Sequence, residues 1–210
     1  PSYSQPTWTT LVTGAWPELN GAALLNAADD AIQPIAADHI FAAARRAGLT
    51  TALAGHSWWA SMVPPDMLDA HYYTDNFRAD GDQQSADAGL RFLTHFRPGL
   101  ALIYFGNLDE VAHEAGATGT AYRQAAVQID DHLRAIVETI DLSHAVLIVT
   151  SDHGHIDRGG HGGGDASVVC TPFVAVGNAI VPGDYGTIAQ VDIAPTITAL
   201  LGAPAPRNTQ

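Results

Sequence analysis

The chain has no lysine: its nine basic residues are all arginine, set against 22 acidic ones, for a formal net charge of −13. A body of that sign repels a polyphosphate backbone, which excludes a protein that grips nucleic acid in a basic groove. Cysteine is almost missing too. Cys170 stands alone, so neither an internal disulfide framework nor a thiolate zinc cluster is available. No apolar run approaches the roughly 18 residues of a membrane span, and we expect no transmembrane segment in this chain. What is present is an ordinary globular balance, 47% hydrophobic and 15% charged over 210 residues. A chain of that length buries about 70% of its unfolded surface, enough for a real core. Histidine, by contrast, is plentiful at ten residues, and their placement carries information.

Short apolar runs alternate with helical periodicity along the chain. Asp38 to Ala47 predicts a helix with Asp38 as N-cap and Gly48 as stop, then a strand over Thr50 to Ala54. Asp82 to Phe96 has helical spacing, with Leu90, Leu93 and Phe96 expected inward. Pro98-Gly99 ends it before a buried strand at Leu100 to Phe105. Thr120 to Ile140 predicts a long helix, with Tyr122, Ala126, Ile129, Leu133, Ile136 and Ile140 on one face. Ala145 to Thr150 and Phe173 to Val176 are continuous apolar strands, and a last helix runs from near Asp192 to Gly202. This alternation implies an α/β fold, a largely parallel central sheet with helices on both faces. No repeat or linker divides the chain, so residues 1–210 are expected to form a single domain.

Ligands of open parallel sheets bind at the carboxyl ends of the strands, and metal-ligating residue types collect there. Asp109 and His113 follow the Leu100 strand at a spacing of four, which puts both on one face of a helical turn. Asp152-His153-Gly154 follows the Ala145 strand, and His161 stands between glycines in Gly159-Gly160-His161-Gly162-Gly163-Gly164. Each element alone has a bland reading: a surface ion pair, a capped turn, a solvated histidine. Two carboxylates and three imidazoles at successive strand ends are harder to assign to chance. Carboxylate plus imidazole without thiolate suits Zn²⁺ or Mn²⁺. His155, two residues after His153, reads as a supporting partner or a solvated residue and lies outside the expected metal set. Near the start, Ser4 precedes Pro6 as an N-cap or as a nucleophile.

Taken in order, these segments resemble the alkaline phosphatase superfamily, in particular its type I phosphodiesterase/nucleotide pyrophosphatase branch. Ser4-Gln5-Pro6, Thr10-Leu11-Val12-Thr13-Gly14 and Pro17-Glu18 are similar to that family's nucleophile segment. Asp109/His113, Asp152-His153-Gly154 and His161-Gly162-Gly163 are similar to its later motifs, and Val191 to Thr196 with Leu200-Leu201-Gly202 to its C-terminal helix. The resemblance implies an alkaline-phosphatase-like fold and a metal-dependent hydrolase of a small phosphate ester, acting through a phosphoserine on Ser4. It implies two divalent metal ions, Zn²⁺ or alternatively Mn²⁺. One would be held by Asp109, His113 and His161, the other by Asp152 and His153 beside Ser4.

The family's pattern also includes an Asp at the end of a first strand, tens of residues before the nucleophile. Nothing in this sequence matches it, so an N-terminally incomplete copy of the domain is expected. The competing expectation is a degenerate member that binds metal or a phosphorylated ligand without turnover. Sulfatases and phosphonate monoester hydrolases of the superfamily carry an arginine where this chain has Trp8, and a monoester's extra charge asks for an added cation. Arg158 is the one basic residue within the metal segments, and a loop salt bridge with Asp157 is expected for it. A diester is therefore the expected substrate. Trp58, Trp59 and His71-Tyr72-Tyr73 read either as core residues or as a leaving-group wall.

Overall fold

The computed structural model describes residues 1–210. The chain opens with α1 (Ser4–Thr13), which carries the candidate nucleophile on its first turn. Threonine is a mediocre helix former, yet Thr9, Thr10 and Thr13 each donate a hydroxyl to the carbonyl four residues back, which satisfies them in a buried helix. Gly14 ends the helix in a left-handed cap at φ 69°. A short α2 (Pro17–Asn20) follows, and then α3 (Ile40–Arg46). His39 caps α3, accepting from the Ala42 amide. Asp38, expected in that role, instead takes Arg46 at 2.6 Å and accepts from the Arg207 amide at 2.9 Å. A carboxylate offered a guanidinium gains more there than from a cap bond.

Strand β1 (Thr51–His56) is buried at every position and is the centre of a three-stranded parallel sheet. On one side lies β2 (Ala70–Thr74), with Ala52 opposite Ala70. On the other lies β3 (Leu100–Ile103), with Leu53 opposite Leu102. The short α4 (Trp58–Met62) joins β1 to β2, and α5 (Ala79–Arg91) joins β2 to β3. Leu90 and Leu93, expected to face inward, are only half-buried, and Phe96 is exposed: Leu90 lies off the buried face of α5, and a π-helical turn over Phe92–Phe96 shifts the phase of Leu93 and Phe96. Gly81, Ser85, Ala86, Ala88 and Gly89 pack inward instead. A Cβ at Gly89 would collide with the Ile103 side chain, so this small face lets the helix lie close on β3.

Downstream come α6 (Asn107–Ala115) and α7 (Thr120–Thr139). Ala125 and Ile136 are the buried residues of α7, and Ala126, expected on that face, is exposed. Then β4 (Val146–Thr150) and β5 (Phe173–Gly177), with the short α8 (Ala166–Val169) between them, pair antiparallel as a separate two-stranded sheet. Both apolar runs are strands as expected, but this pair departs from the parallel arrangement expected of continuous apolar strands, because the return path of the chain decides direction. The closing α9 (Ile193–Leu200) packs on α1 and α3. The Gln210 amide donates to the Gly14 carbonyl at 3.0 Å, so residue 210 returns to the end of α1.

Val12, Phe41, Leu53, Trp58, Trp59, Met62 and Val63 form the core around β1. Trp8 meets Trp59 edge-on at 5.2 Å and Tyr104 at 5.8 Å, while Trp58 stacks on Trp59 at 4.8 Å. Trp58 and Trp59 are thus core residues. His71-Tyr72-Tyr73 lies within β2.

Candidate functional site

Three loops converge above the carboxyl ends of the strands. The first is the turn from β3 into α6. No side chain within the turn caps that helix. Asp82 does so from α5, accepting from the Gly106 amide at 2.7 Å and the Asn107 amide at 3.3 Å. Asp82 is buried, and burial pushes its carboxyl up to about 6 in spite of those two amides. Asp109 and His113 then lie one turn apart on α6, with His113 Nε2 at 3.6 Å from Asp109 Oδ1.

The second loop follows β4. Ser151 donates its hydroxyl to the His153 carbonyl at 2.6 Å, and the Gly154 amide reaches Val168 at 2.8 Å. Those bonds hold Asp152 and His153 in place, and Gln190 adds a bond to the Asp152 carbonyl at 2.9 Å. The third loop is the glycine-rich one. Gly159, at φ +87°, presses against the Ala112 carbonyl so closely that a Cβ would overlap it, which seats the loop on α6.

The imidazoles are ordered by the backbone. His161 Nδ1 is 2.9 Å from the Ser2 carbonyl and His153 Nδ1 is 3.2 Å from the Gly154 carbonyl. A carbonyl only accepts, so both rings carry their proton on Nδ1 and turn a bare Nε2 inward, as metal-ligating histidines do. The two rings stack at 3.9 Å. Their Nε2 atoms lie 3.9 Å (His153) and 3.7 Å (His161) from Asp109 Oδ1. Burial lowers the pKa of both, with neighbouring imidazoles adding to it, which favours the neutral form that binds metal. Ser4 Oγ lies 3.2 Å from His153 Nε2, and that bare nitrogen makes the serine hydroxyl the donor.

The carboxylates are strained by each other. Asp152 is pushed up to about 7 by burial and by the negative charge of Asp109. Asp109 itself sits below the usual range: burial raises it, but the His155 hydrogen bond and the charges of His153 and His113 outweigh that. Asp109, His153 and His161 bring ligand atoms within 4.8 Å of one another, and so do Asp109, His113 and His155. These groups could hold a metal ion. A partly buried pair of carboxylates without a lysine or arginine partner, faced by bare imidazole nitrogens, fits a divalent cation.

All six sequence-derived residues, Ser4, Asp109, His113, Asp152, His153 and His161, are therefore in one region. The grouping differs in detail from the expectation. His161 converges with His153, and His113 with His155, while Asp152 stands beside His153 at 3.5 Å. His155, set aside in the sequence, is part of the constellation, with Nε2 at 2.8 Å from Asp109 Oδ1. Its spacing of two from His153 was the available signal. Arg158 is exposed and forms no ion pair with Asp157, contrary to the favoured reading. A cavity of about 470 Å³ opens at Ser2 and Tyr3, just before Ser4 in the chain, and is also lined by Trp16, Pro17, Glu18 and Leu24.

Comparison with known proteins adds to this geometry. The family described as "Type I phosphodiesterase / nucleotide pyrophosphatase" matches residues 1–159. The chain is 23% identical to the human GPI ethanolamine phosphate transferase 2 catalytic subunit, over 100% of this chain and 22% of that protein. It is 25% identical to the mouse GPI ethanolamine phosphate transferase 3 catalytic subunit, over 93% of this chain and 18% of that one. The chain spans less than a third of the length of these curated relatives. Among solved structures it is similar to a 2-O GAG sulfatase at a TM-score of 0.72 and 13% identity, covering 99% of this chain and 62% of that one. It is also similar to human ectonucleotide pyrophosphatase / phosphodiesterase 5 at a TM-score of 0.53 and 21% identity, covering 71% and 45%. At these identities the structural likenesses concern the fold.

Proposed function

Because the chain belongs to the type I phosphodiesterase/nucleotide pyrophosphatase family, we propose that it is a single catalytic domain acting on phosphate esters, diesters in preference, with Ser4 as nucleophile. The observation that carries this reading is the position of Ser4 Oγ, 3.2 Å from His153 Nε2 and on the first turn of a buried helix. Asp109, His113, His153 and His161, with Asp152 beside them, would hold two divalent ions, Zn²⁺ or Mn²⁺. When bound, such ions supply Lewis-acid charge for the phosphoryl oxygens and favour ionised oxygen nucleophiles at neutral pH.

The chain's own residues do the rest. Ser4 Oγ bonds to phosphorus as the bond to the leaving oxygen breaks, and the serine proton departs with the leaving alcohol. The positive end of α1 faces the phosphoryl group at Ser4. Water then adds to the phosphoserine, releasing a phosphomonoester and restoring the Ser4 hydroxyl. The cavity at Ser2 and Tyr3 takes the ester's organic substituent, with Tyr3, Trp16, Pro17 and Leu24 as apolar walls.

A second reading has a specific support. The relatives aligned over nearly the whole chain are named as ethanolamine phosphate transferases. An alcohol in place of water at the second step would make the same residues a transferase. Glu18, the one charged side chain lining the cavity, suits an ammonium-bearing substituent such as ethanolamine.

The test compares bis-p-nitrophenyl phosphate, p-nitrophenyl phosphate and p-nitrophenyl sulfate with the full-length protein, with Zn²⁺ or Mn²⁺ supplied. Fastest release from the diester is expected. No turnover of either phosphate ester overturns the enzymatic reading, and preference for the monoester overturns the diester assignment. Adding an alcohol acceptor and detecting its phosphorylated product separates transfer from hydrolysis.

A further inference from the structure

We infer that His155 is a positioning residue: its Nε2–H orients the Asp109 carboxylate, and the Gly160 backbone amide dictates where its proton sits. The inference rests on the metal reading given above, and it separates His155 from the imidazoles around it.

The Gly160 amide lies 3.2 Å from His155 Nδ1. An amide N–H only donates, so Nδ1 must be the bare nitrogen and Nε2 must carry the hydrogen. That is the reverse of His153 and His161, whose Nδ1 atoms donate to carbonyls. His155 Nε2 points at Asp109 Oδ1 from 2.8 Å, while His113, His161 and His153 stand at 3.6, 3.7 and 3.9 Å from the same oxygen. The two classes of distance mean different things. Two ligands each about 2.1 Å from a tetrahedral ion lie roughly 3.4 Å apart. A separation of 2.8 Å is too short for two ligands sharing one ion and is that of a charge-assisted hydrogen bond. The longer distances suit groups that converge on a cation.

The surroundings hold this arrangement. The His155 side chain is only 4% exposed, so water does not compete for Asp109 at that point. Gly160 has φ +93°, a conformation that favours glycine, and its carbonyl accepts from the Ile156 amide at 3.1 Å. The Ile156–Gly160 turn thereby closes on itself and aims its last amide back at the ring. A histidine bonded in this way fixes the carboxylate's rotation before any cation arrives, the usual work of an outer partner at a metal site.

Two measurements on the full-length protein test this. In ¹⁵N-histidine spectra of the metal-free protein, His155 is expected as the Nε2–H tautomer, and His153 and His161 as Nδ1–H. On Zn²⁺ addition the Nε2 signals of His153 and His161 should move strongly, with His155 keeping its proton. An Nδ1–H tautomer at His155, or loss of its Nε2 proton to Zn²⁺, overturns the inference. In competition with a chelator, His155→Ala should weaken Zn²⁺ binding by about 10- to 100-fold. His155→Gln, which keeps an N–H donor, should recover most of that loss. Unchanged affinity in a folded Ala variant, or no recovery by Gln, overturns it as well. If the Ala variant does not fold, the tautomer in the unsubstituted protein decides. Absence of any Zn²⁺ binding by the unsubstituted protein removes the metal reading, while the metal-free tautomer still reports on the His155 geometry.

Discussion

Ser4 Oγ and His153 Nε2 stand 3.2 Å apart although 149 residues separate them in the chain. The approach is built by two independent anchors. Ser4 is held on the first turn of α1, where Gln5 pairs its side-chain amide with both backbone groups of Ala27 at 2.8 and 3.1 Å. His153 is held by the turn after β4, through the Ser151 and Gly154 bonds. Neither anchor passes through the other residue, so removing the hydroxyl should leave the imidazoles in place.

Ser4→Ala is therefore expected to abolish phosphodiester turnover while bound metal per chain stays nearly unchanged. Release of p-nitrophenol and elemental analysis of the same preparation check both halves. Retained turnover would sink the nucleophile assignment.

Chelation should remove activity and lower stability together. Binding to the folded state alone adds about 2.7 kcal/mol when the free ion is at 100 times its Kd. Melting curves with and without Zn²⁺ should then differ by several degrees, the metal-loaded protein being higher. Identical curves argue that the constellation of Asp109, His113, His153 and His161 takes no ion.

Asp82 offers a pH signature away from the ligands. Its carboxyl is raised from 3.8 to about 6 by burial. A raised folded-state value means that the native protein holds the proton more tightly. Its stabilising contribution is thus complete below about 4 and is lost as pH rises through about 6. Asp82→Asn keeps an acceptor for the Gly106 amide but cannot ionise. Relative to the parent, it should gain roughly 2–3 kcal/mol between pH 4 and pH 7 in urea unfolding. A difference between the two proteins that does not change with pH counts against this.

The aromatic residues divide into packing and binding roles. Trp59 is fully buried among Trp8, Trp58 and Tyr104. Trp59→Ala should cost about 3–5 kcal/mol of stability, with KM for a diester nearly unchanged in the protein that remains folded. Trp16 lines the cavity at Ser2 and Tyr3, and Trp16→Ala should raise KM several-fold with a smaller change in kcat. Steady-state kinetics paired with unfolding curves would show a reversal of these roles directly.

Residue types at short spacing and runs of apolar side chains were enough to place α3, α5, α7 and α9, four of the five strands, and Ser4, Asp109, His113, Asp152, His153 and His161 as site candidates, but not the short α2, α4 and α8, nor His155. Those features act within a turn or a strand, where one or two neighbours decide the outcome. The Asp109–His113 pairing is of this kind, since a helix brings positions four apart onto one face whatever surrounds it. Other features depend on groups far away in the chain. The strand β2 was hidden because His71, Tyr72 and Tyr73 show no apolar alternation, and only its pairing with β1 makes it a strand. Asp82 became the cap of α6 across 24 residues, and His155 joined Asp109 across 46. The antiparallel turn of β5 against β4 likewise came from the path between them. By itself the sequence determined which chemical groups are available and the local shapes that carry them. The tertiary structure alone decided which backbone amide or carbonyl each imidazole meets, and so where its proton lies and what it can bind.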